Sequence, residues 1–158
     1  MALAEMGRRG LLLPSKLDEA IDGVLQALQY DEKHGKTSKG AHVRDAACYV
    51  TWAFARAFAP ECMEGNISRI AEGLVVLCLL DREVNCRRAA AAALQEHVGR
   101  QGGPMCSNLP NAIEVITVAD YFSLGSRRNA YINVAPLVAA FPQYLAPIVD
   151  HLVARKVR

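Results

Sequence analysis

The sequence predicts an all-α protein made of stacked helical hairpins, and three observations carry that prediction. One signature recurs in the segments VRDAACYV, CRRAAAAA and SRRNAYIN, whose arginines Arg44, Arg87 and Arg127 are separated by 43 and 40 residues. Apolar residues follow a helical period, and no segment shows the alternation of a half-exposed strand. Five consecutive alanines, Ala89–Ala93, combine high helix propensity with little bulk. A period of about 40–47 residues with two helices per unit is typical of a HEAT/armadillo-like α-solenoid, here of about three helical hairpins.

The alanine run lies in the stretch Asp81 to Gly102, which we take as the centre of the fold. Asp81 is expected to cap the start of this helix, Glu83 lies in its first turn, and Gly102 is expected to end it. Because alanine side chains are small, we expect neighbouring helices to approach this helix closely on more than one side.

Composition limits the classes of partner. The 158 residues suffice for one domain with a real core, and 52% of them are hydrophobic while only 6% are aromatic. The formal net charge of +2 argues against nucleic acid or an anionic membrane as the main partner. The longest apolar run, Leu74 to Leu80, is far below the ~18 residues that span a bilayer. Five cysteines without a CxxC pair indicate buried, inert thiols and an intracellular location.

The first helices can be placed in order along the chain. Ser15 is expected to cap the first long helix, with Asp18 in the position of a capping-box acid. The stretch Tyr30 to Gly40 is polar and contains glycines, which predicts a mobile break without a strand. The next helix runs from about Ala41 to Phe58, and its two apolar stripes predict burial on most sides. Pro60 is expected to end it.

The remaining helices are expected to begin at Asn66 or Ser68, at Pro110 in the first helical position, and near Arg127. Pro136 and Pro147 lie inside otherwise helical patterns, which they are expected to kink or break. The helices group into three units, roughly 15–58, 66–101 and 110–155.

No catalytic, cofactor-binding or metal-binding constellation is visible in the sequence. The GKT at Gly35 to Thr37 resembles the end of a P-loop, but Tyr30 stands where that loop requires a glycine. The histidines are scattered, and none has a second ligand at helical spacing. We therefore expect no enzyme activity, no cofactor and no metal.

Four residues are candidates for contact with a partner protein: Tyr121, Phe122, Arg87 and Arg88. The two aromatic rings lie in a polar break, so they need either a partner or a fold-back onto the protein, and fold-back is favoured. The paired arginines are open to two interpretations. A polar ladder between repeats, as in HEAT arrays, is favoured over contact with a partner on the concave face.

Several long segments resemble consecutive segments of the tubulin-specific chaperone D family, also called tubulin-folding cofactor D. These segments are VRDAACYVTWAFARAF, DREVNCRRAAAAALQEHVGRQG, ADYF and FPQYLAPIVDHLV. The resemblance runs from about Glu5 to Val157 in the same order. Because members of that family are very large HEAT-repeat proteins, the resemblance implies that residues 1–158 are an internal segment of a larger solenoid.

The resemblance also implies a function. It implies a cytoplasmic chaperone segment associated with the cytoskeleton and centrosome, a non-catalytic scaffold that helps to bind β-tubulin and to assemble or disassemble the αβ-tubulin heterodimer. The implied partners are β-tubulin, tubulin-folding cofactors C and E, and an Arf-like small GTPase, in a complex that stimulates GTP hydrolysis by tubulin. The alternative is a generic HEAT-repeat adaptor for protein–protein interaction.

Overall fold

The computed structural model describes residues 1–35 and 37–156, and most of them are helical, as predicted. Lys36 of the GKT sequence lies outside the described residues. The helices are α1 (Ala2–Arg8), α2 (Leu17–Leu28), α3 (Ala41–Ala57), α4 (Pro60–Met63), α5 (Ile67–Leu80), α6 (Val84–Gln101), α7 (Ala112–Val118), α8 (Arg127–Asn129), α9 (Ala135–Ala139) and α10 (Pro142–Lys156). A β-hairpin of β1 (Glu32–His34) and β2 (Thr37–Lys39) lies between α2 and α3.

Two layers of helices enclose the core. In one layer α3 packs along α1 and α6, and in the other α5 contacts both α2 and α10. The hairpins α2–α3 and α5–α6 join the layers. Helix α5 is the most enclosed element, because every residue from Leu74 to Leu80 is buried. The longest apolar run of the sequence is therefore the centre of the core.

The alanine run lets α6 fit between two neighbours. Helix α6 packs against both α3 and α5, in agreement with the expectation of close approach on two sides. Ala90, Ala91 and Ala93 are buried, Ala89 is half-buried and Ala92 is exposed. One side of the run therefore faces solvent.

The polar stretch 30–40 contains an antiparallel β-hairpin, so the expectation of no strand was wrong. Apolar alternation could not reveal it, because both strands are polar and β1 is exposed along its whole length. Tertiary contacts hold the hairpin in place. Arg82 Nη2 donates to Asp31 Oδ1 at 2.7 Å and to Ser38 O at 3.4 Å.

Two predicted helix starts were also wrong. Ser15 lies in a 3₁₀ turn, and α2 begins at Leu17 without a side-chain cap. Pro110 is not the first residue of α7, because Asn111 follows it in the left-handed conformation with φ of 58°. Both starts depend on the path of the preceding loop, which capping statistics do not report.

Neither internal proline ends its helical segment. Between α8 and α9 the chain forms a π-helical turn, Ala130–Val134, in which the N–H of Ala135 bonds to Ala130 O. This wider turn comes directly before Pro136, which has no N–H to donate, so the segment continues past the proline. Pro147 lies inside α10. The third unit thus contains α7, the α8–α9 segment and α10, and the unit boundaries 15–58, 66–101 and 110–155 stay a prediction.

The cysteines are free thiols. Cys48, Cys78 and Cys86 are buried in the helix packing, whereas Cys62 is exposed and Cys106 is half-buried. Burial raises the pKa of the Cys86 thiol to about 11, which keeps it protonated at neutral pH. The expected burial is confirmed for the three cysteines of the core, and their inertness stays a prediction.

Candidate functional site

A ladder of buried arginines connects the repeat units. Arg44, at the start of α3, binds Asp81 of the next unit through Nε–Oδ2 at 2.6 Å and Nη2–Oδ1 at 3.3 Å. Both side chains are almost fully buried. Asp81 also accepts a hydrogen bond from the N–H of Glu83 at 2.7 Å, so it shapes the loop between α5 and α6. Its predicted role as the cap of the alanine helix was wrong, because α6 begins at Val84.

Arg87 occupies the corresponding position in α6 and reaches the following loop. Its Nε donates to Leu124 O at 2.8 Å, and its Nη2 donates to Gly125 O at 3.1 Å. Nη1 donates to the carbonyl oxygens of Asp81 and Arg82 at 2.9 and 3.1 Å. The side chain is 1% exposed. Arg87 is therefore a ladder residue, which agrees with the interpretation favoured from the sequence, and its buried side chain offers almost no surface to a partner.

Asp120 fixes the conformation of the loop 120–125, to which Arg87 donates two of its hydrogen bonds. Asp120 Oδ1 accepts hydrogen bonds from the N–H groups of Phe122 and Ser123, both at 2.7 Å. Ser123 Oγ in turn donates to Val118 O at 2.8 Å, and Leu124 is completely buried. The backbone hydrogen bond from Ser123 lowers the pKa of Asp120, which keeps this carboxylate ionised.

Arg88, Tyr121 and Phe122 meet on the outside of this loop, and we call them the corner cluster. The guanidinium carbon of Arg88 lies 3.9 Å from the centroid of the Tyr121 ring, and Arg88 Nε donates to Tyr121 O at 3.3 Å. The two aromatic rings form an edge-to-face pair with centroids 5.6 Å apart. Tyr121 is 54% exposed and Phe122 is 85% exposed. The favoured fold-back was wrong for Phe122, whose ring projects into solvent.

The corner cluster has the properties of an anchor for a protein partner. Aromatic rings and arginine are the side chains most often found at the energetic centre of protein interfaces. The bonds of Asp120 and the stacking of Arg88 hold the loop before any partner binds, which reduces the ordering cost of association. The arrangement supports recognition, and it contains no nucleophile or acid–base pair.

A separate surface groove was not anticipated from the sequence. It has a volume of about 330 Å³ and lies between α3 and α6. Ala89 and Ala92, which follow Arg88 on α6, form its floor, and Tyr49 and Trp52 form a wall. The two wall rings are stacked with centroids 5.8 Å apart, and both are half-buried. The alanine run could have indicated this groove, because alanines lack the bulk to cover aromatic rings on a neighbouring helix.

His97 is fully buried, with Nε2 at 2.8 Å from Ile67 O, and burial lowers its pKa so that the ring is neutral. Within residues 1–35 and 37–156, no group of three or more His, Cys, Asp or Glu side chains is placed to hold a metal ion. In the same part of the chain, no helix is both long and apolar enough to cross a membrane.

Stacked helical hairpins tied together by buried arginines define a HEAT/armadillo-type repeat protein. The particular family follows from the sequence: the family described as tubulin-specific chaperone D-like, ARM repeats, matches residues 1–113. These residues contain the first two hairpins and the start of α7. The chain belongs to this family.

Two relatives show the extent of the similarity. The chain is 42% identical to tubulin-specific chaperone D of Dictyostelium discoideum over 158 residues, which is 99% of this chain and 10% of that protein. It is 30% identical to tubulin-folding cofactor D of Schizosaccharomyces pombe over 149 residues, which is 94% of this chain and 13% of that protein. The chain thus spans roughly a tenth of the length of these relatives. No solved structure matches it.

Proposed function

We propose that this chain is a segment of a tubulin-folding chaperone and acts there as a non-catalytic scaffold. It helps to bind β-tubulin and to assemble or disassemble the αβ-tubulin heterodimer, together with tubulin-folding cofactors C and E and an Arf-like small GTPase. Its place is the cytoplasm, in association with the cytoskeleton and centrosome. The family and the names of the two relatives support the chaperone role. The assembled complex stimulates the hydrolysis of GTP by tubulin, and this segment supplies no catalytic residue to that reaction.

The observation that carries the proposal is the corner cluster. Phe122 is an 85% exposed aromatic ring on a loop that Asp120 and Arg87 hold in one conformation. An exposed ring in a rigid loop gains nothing for the fold, and it is suited to burial against a partner. We assign this contact to β-tubulin.

Affinity for tubulin should be spread over many repeats. Solenoids bind through extended surfaces, and their affinity is a sum of contacts made along the array. This chain provides one such contact region, so we expect it to bind αβ-tubulin with a dissociation constant of roughly 1 μM or weaker, which corresponds to about 8 kcal/mol or less.

Calorimetric titration of the chain with αβ-tubulin tests this proposal. The double variant Tyr121→Ala, Phe122→Ala should weaken binding by about tenfold or more, which is about 1.4 kcal/mol. The matched control is Met105→Ala, because Met105 is a fully exposed apolar residue on a different loop. Equal effects of the two variants would contradict a specific role for the corner cluster.

Two further outcomes of the titration have a defined meaning. Nanomolar affinity for the isolated chain would contradict distributed binding, because one compact site would then suffice. Binding to an unrelated small GTPase with the same affinity as to tubulin would favour a generic HEAT-repeat adaptor.

A further inference from the structure

The layer that contains α2, α5 and α10 has a groove that the proposed function does not use. We call it the α5 groove. It has a volume of about 640 Å³, with α5 as its floor and α2 and α10 as its walls. The lining residues on which the following argument depends are Leu25, Glu72, Gly73, Val76, Ala146 and Asp150.

Small residues give the α5 groove its depth. Gly73 has no side chain, and a Cβ atom there would lie 3.3 Å from Leu28 Cδ1 and 3.5 Å from Leu25 Cδ2. Ala146 contributes only a methyl group from the α10 wall. The stretch of α10 that lines the groove, 143–154, is about 17 Å long at ~1.5 Å per residue. An extended peptide of about five residues has the same length.

The floor of the α5 groove carries a carboxylate, that of Glu72, which has no hydrogen-bond or salt-bridge partner at contact distance in the part of the chain that the structure describes. Among the side chains of residues 1–35 and 38–154, none forms a hydrogen bond or an ion pair with Glu72. Arg69 also lines the groove and attracts Glu72 electrostatically, but its guanidinium bonds to Asp22 Oδ1 and to Asn66 Oδ1, both at 2.7 Å. Glu72 is half-buried, and this burial raises the pKa of its carboxyl group. Asp150 on α10 adds a second negative side chain to the lining.

These features determine which occupant fits. An apolar occupant would cover the Glu72 carboxylate without pairing it, which is unfavourable. An acidic occupant would be repelled by Glu72 and Asp150, while the cation in the lining, Arg69, is already paired with Asp22. A lysine or arginine side chain would form a charge-assisted hydrogen bond with Glu72, and apolar neighbours could pack on Leu25 and Val76.

We propose that the α5 groove binds an extended peptide segment of a partner protein through a basic side chain that pairs with Glu72. The site is separate from the corner cluster, so a test of peptide binding here does not depend on the proposed contact with tubulin. The bound peptide lies along α10, with its basic residue over the middle of the groove floor and apolar residues on either side.

The probe is a fluorescently labelled peptide of the sequence Ala-Leu-Arg-Leu-Ala with blocked ends, compared with versions that carry Gln or Glu in place of Arg. Fluorescence anisotropy with the whole chain should show the tightest binding for the Arg peptide, weaker binding for the Gln peptide and the weakest for the Glu peptide. The variant Glu72→Gln should reduce the affinity for the Arg peptide by about tenfold, to that of the Gln peptide. The control Glu114→Gln removes an exposed carboxylate from α7 and should leave the affinity unchanged.

A second variant tests the position of the bound peptide. Ala146→Arg places a cation in the α5 groove from the exposed side of α10, and it should compete with the peptide for Glu72. Amide chemical-shift changes on peptide addition should be centred on Gly73 and Val76. Equal affinity of the Arg and Gln peptides for the unmodified chain would overturn the proposal. So would the absence of binding at millimolar peptide, or shift changes confined to other surfaces.

Discussion

Replacement of Arg87 by methionine should destabilise the fold strongly, although the apolar volume of the side chain is largely kept. The change removes all four hydrogen bonds that the guanidinium donates to carbonyl oxygens. Two of the acceptors, Leu124 O and Asp81 O, belong to buried residues, and a buried acceptor without a donor costs about 1–3 kcal/mol. The expected loss is therefore about 2–6 kcal/mol, a large part of the ~5–15 kcal/mol by which domains are stable.

Urea denaturation followed by circular dichroism measures this loss. With a slope of about 2 kcal/mol per M, a loss of about 4 kcal/mol lowers the midpoint by about 2 M. The control is Arg88→Met on the same helix, because Arg88 is half-buried and its stacking on Tyr121 is worth about 0.5–1 kcal/mol. If the two variants have the same midpoint, the ladder does not stabilise the fold as argued. If Arg87→Met fails to fold, Arg87→Lys should show a smaller loss, because its ammonium group still donates to some of the carbonyl oxygens. A loss should remain, because one ammonium group cannot span all four acceptors.

Three further predictions concern packing, pH and association. Ala91→Leu should destabilise the fold by roughly 1–3 kcal/mol, because Ala91 is buried. The control Ala92→Leu, on the exposed side of α6, should change stability by less than about 0.5 kcal/mol. Equal urea midpoints for the two variants would contradict the assigned faces. Burial lowers the pKa of His97 in the folded state. The stability that the neutral ring contributes is therefore complete above about pH 6.5 and is lost as the pH falls toward the folded-state pKa. His97→Gln should make the unfolding free energy less dependent on pH below about 6.5. The exposed apolar residues of α10 are Leu145, Val149, Leu152 and Val153. They should cause concentration-dependent association in sedimentation experiments, which Leu152→Lys should reduce, and a monomer at high concentration would exclude it.

The sequence by itself determined the class of structure and the repeat. Helical periodicity and the apolar run 74–80 are local properties, and they indicated helices and a core without knowledge of the fold. The spacing of Arg44 and Arg87 also had a physical origin, because each guanidinium binds the loop of the following unit: Arg44 reaches Asp81, and Arg87 reaches Leu124. The interaction recurs at the first two arginines of the signature, whereas the third, Arg127, is exposed.

The tertiary structure alone decided which residues form surfaces. Arg87 and Arg88 are the same residue type in adjacent positions, yet Arg87 is buried and Arg88 is only half-buried. The reason is the rotation of about 100° per residue along α6, together with the position of a loop that lies more than 30 residues further along the chain. The β-hairpin depends on a similar contact, because Arg82 binds Asp31 across 51 residues. The α5 groove also exists only where α2 and α10 flank α5. Contacts between residues distant in sequence depend on how whole elements pack, and local patterns of residues do not encode them.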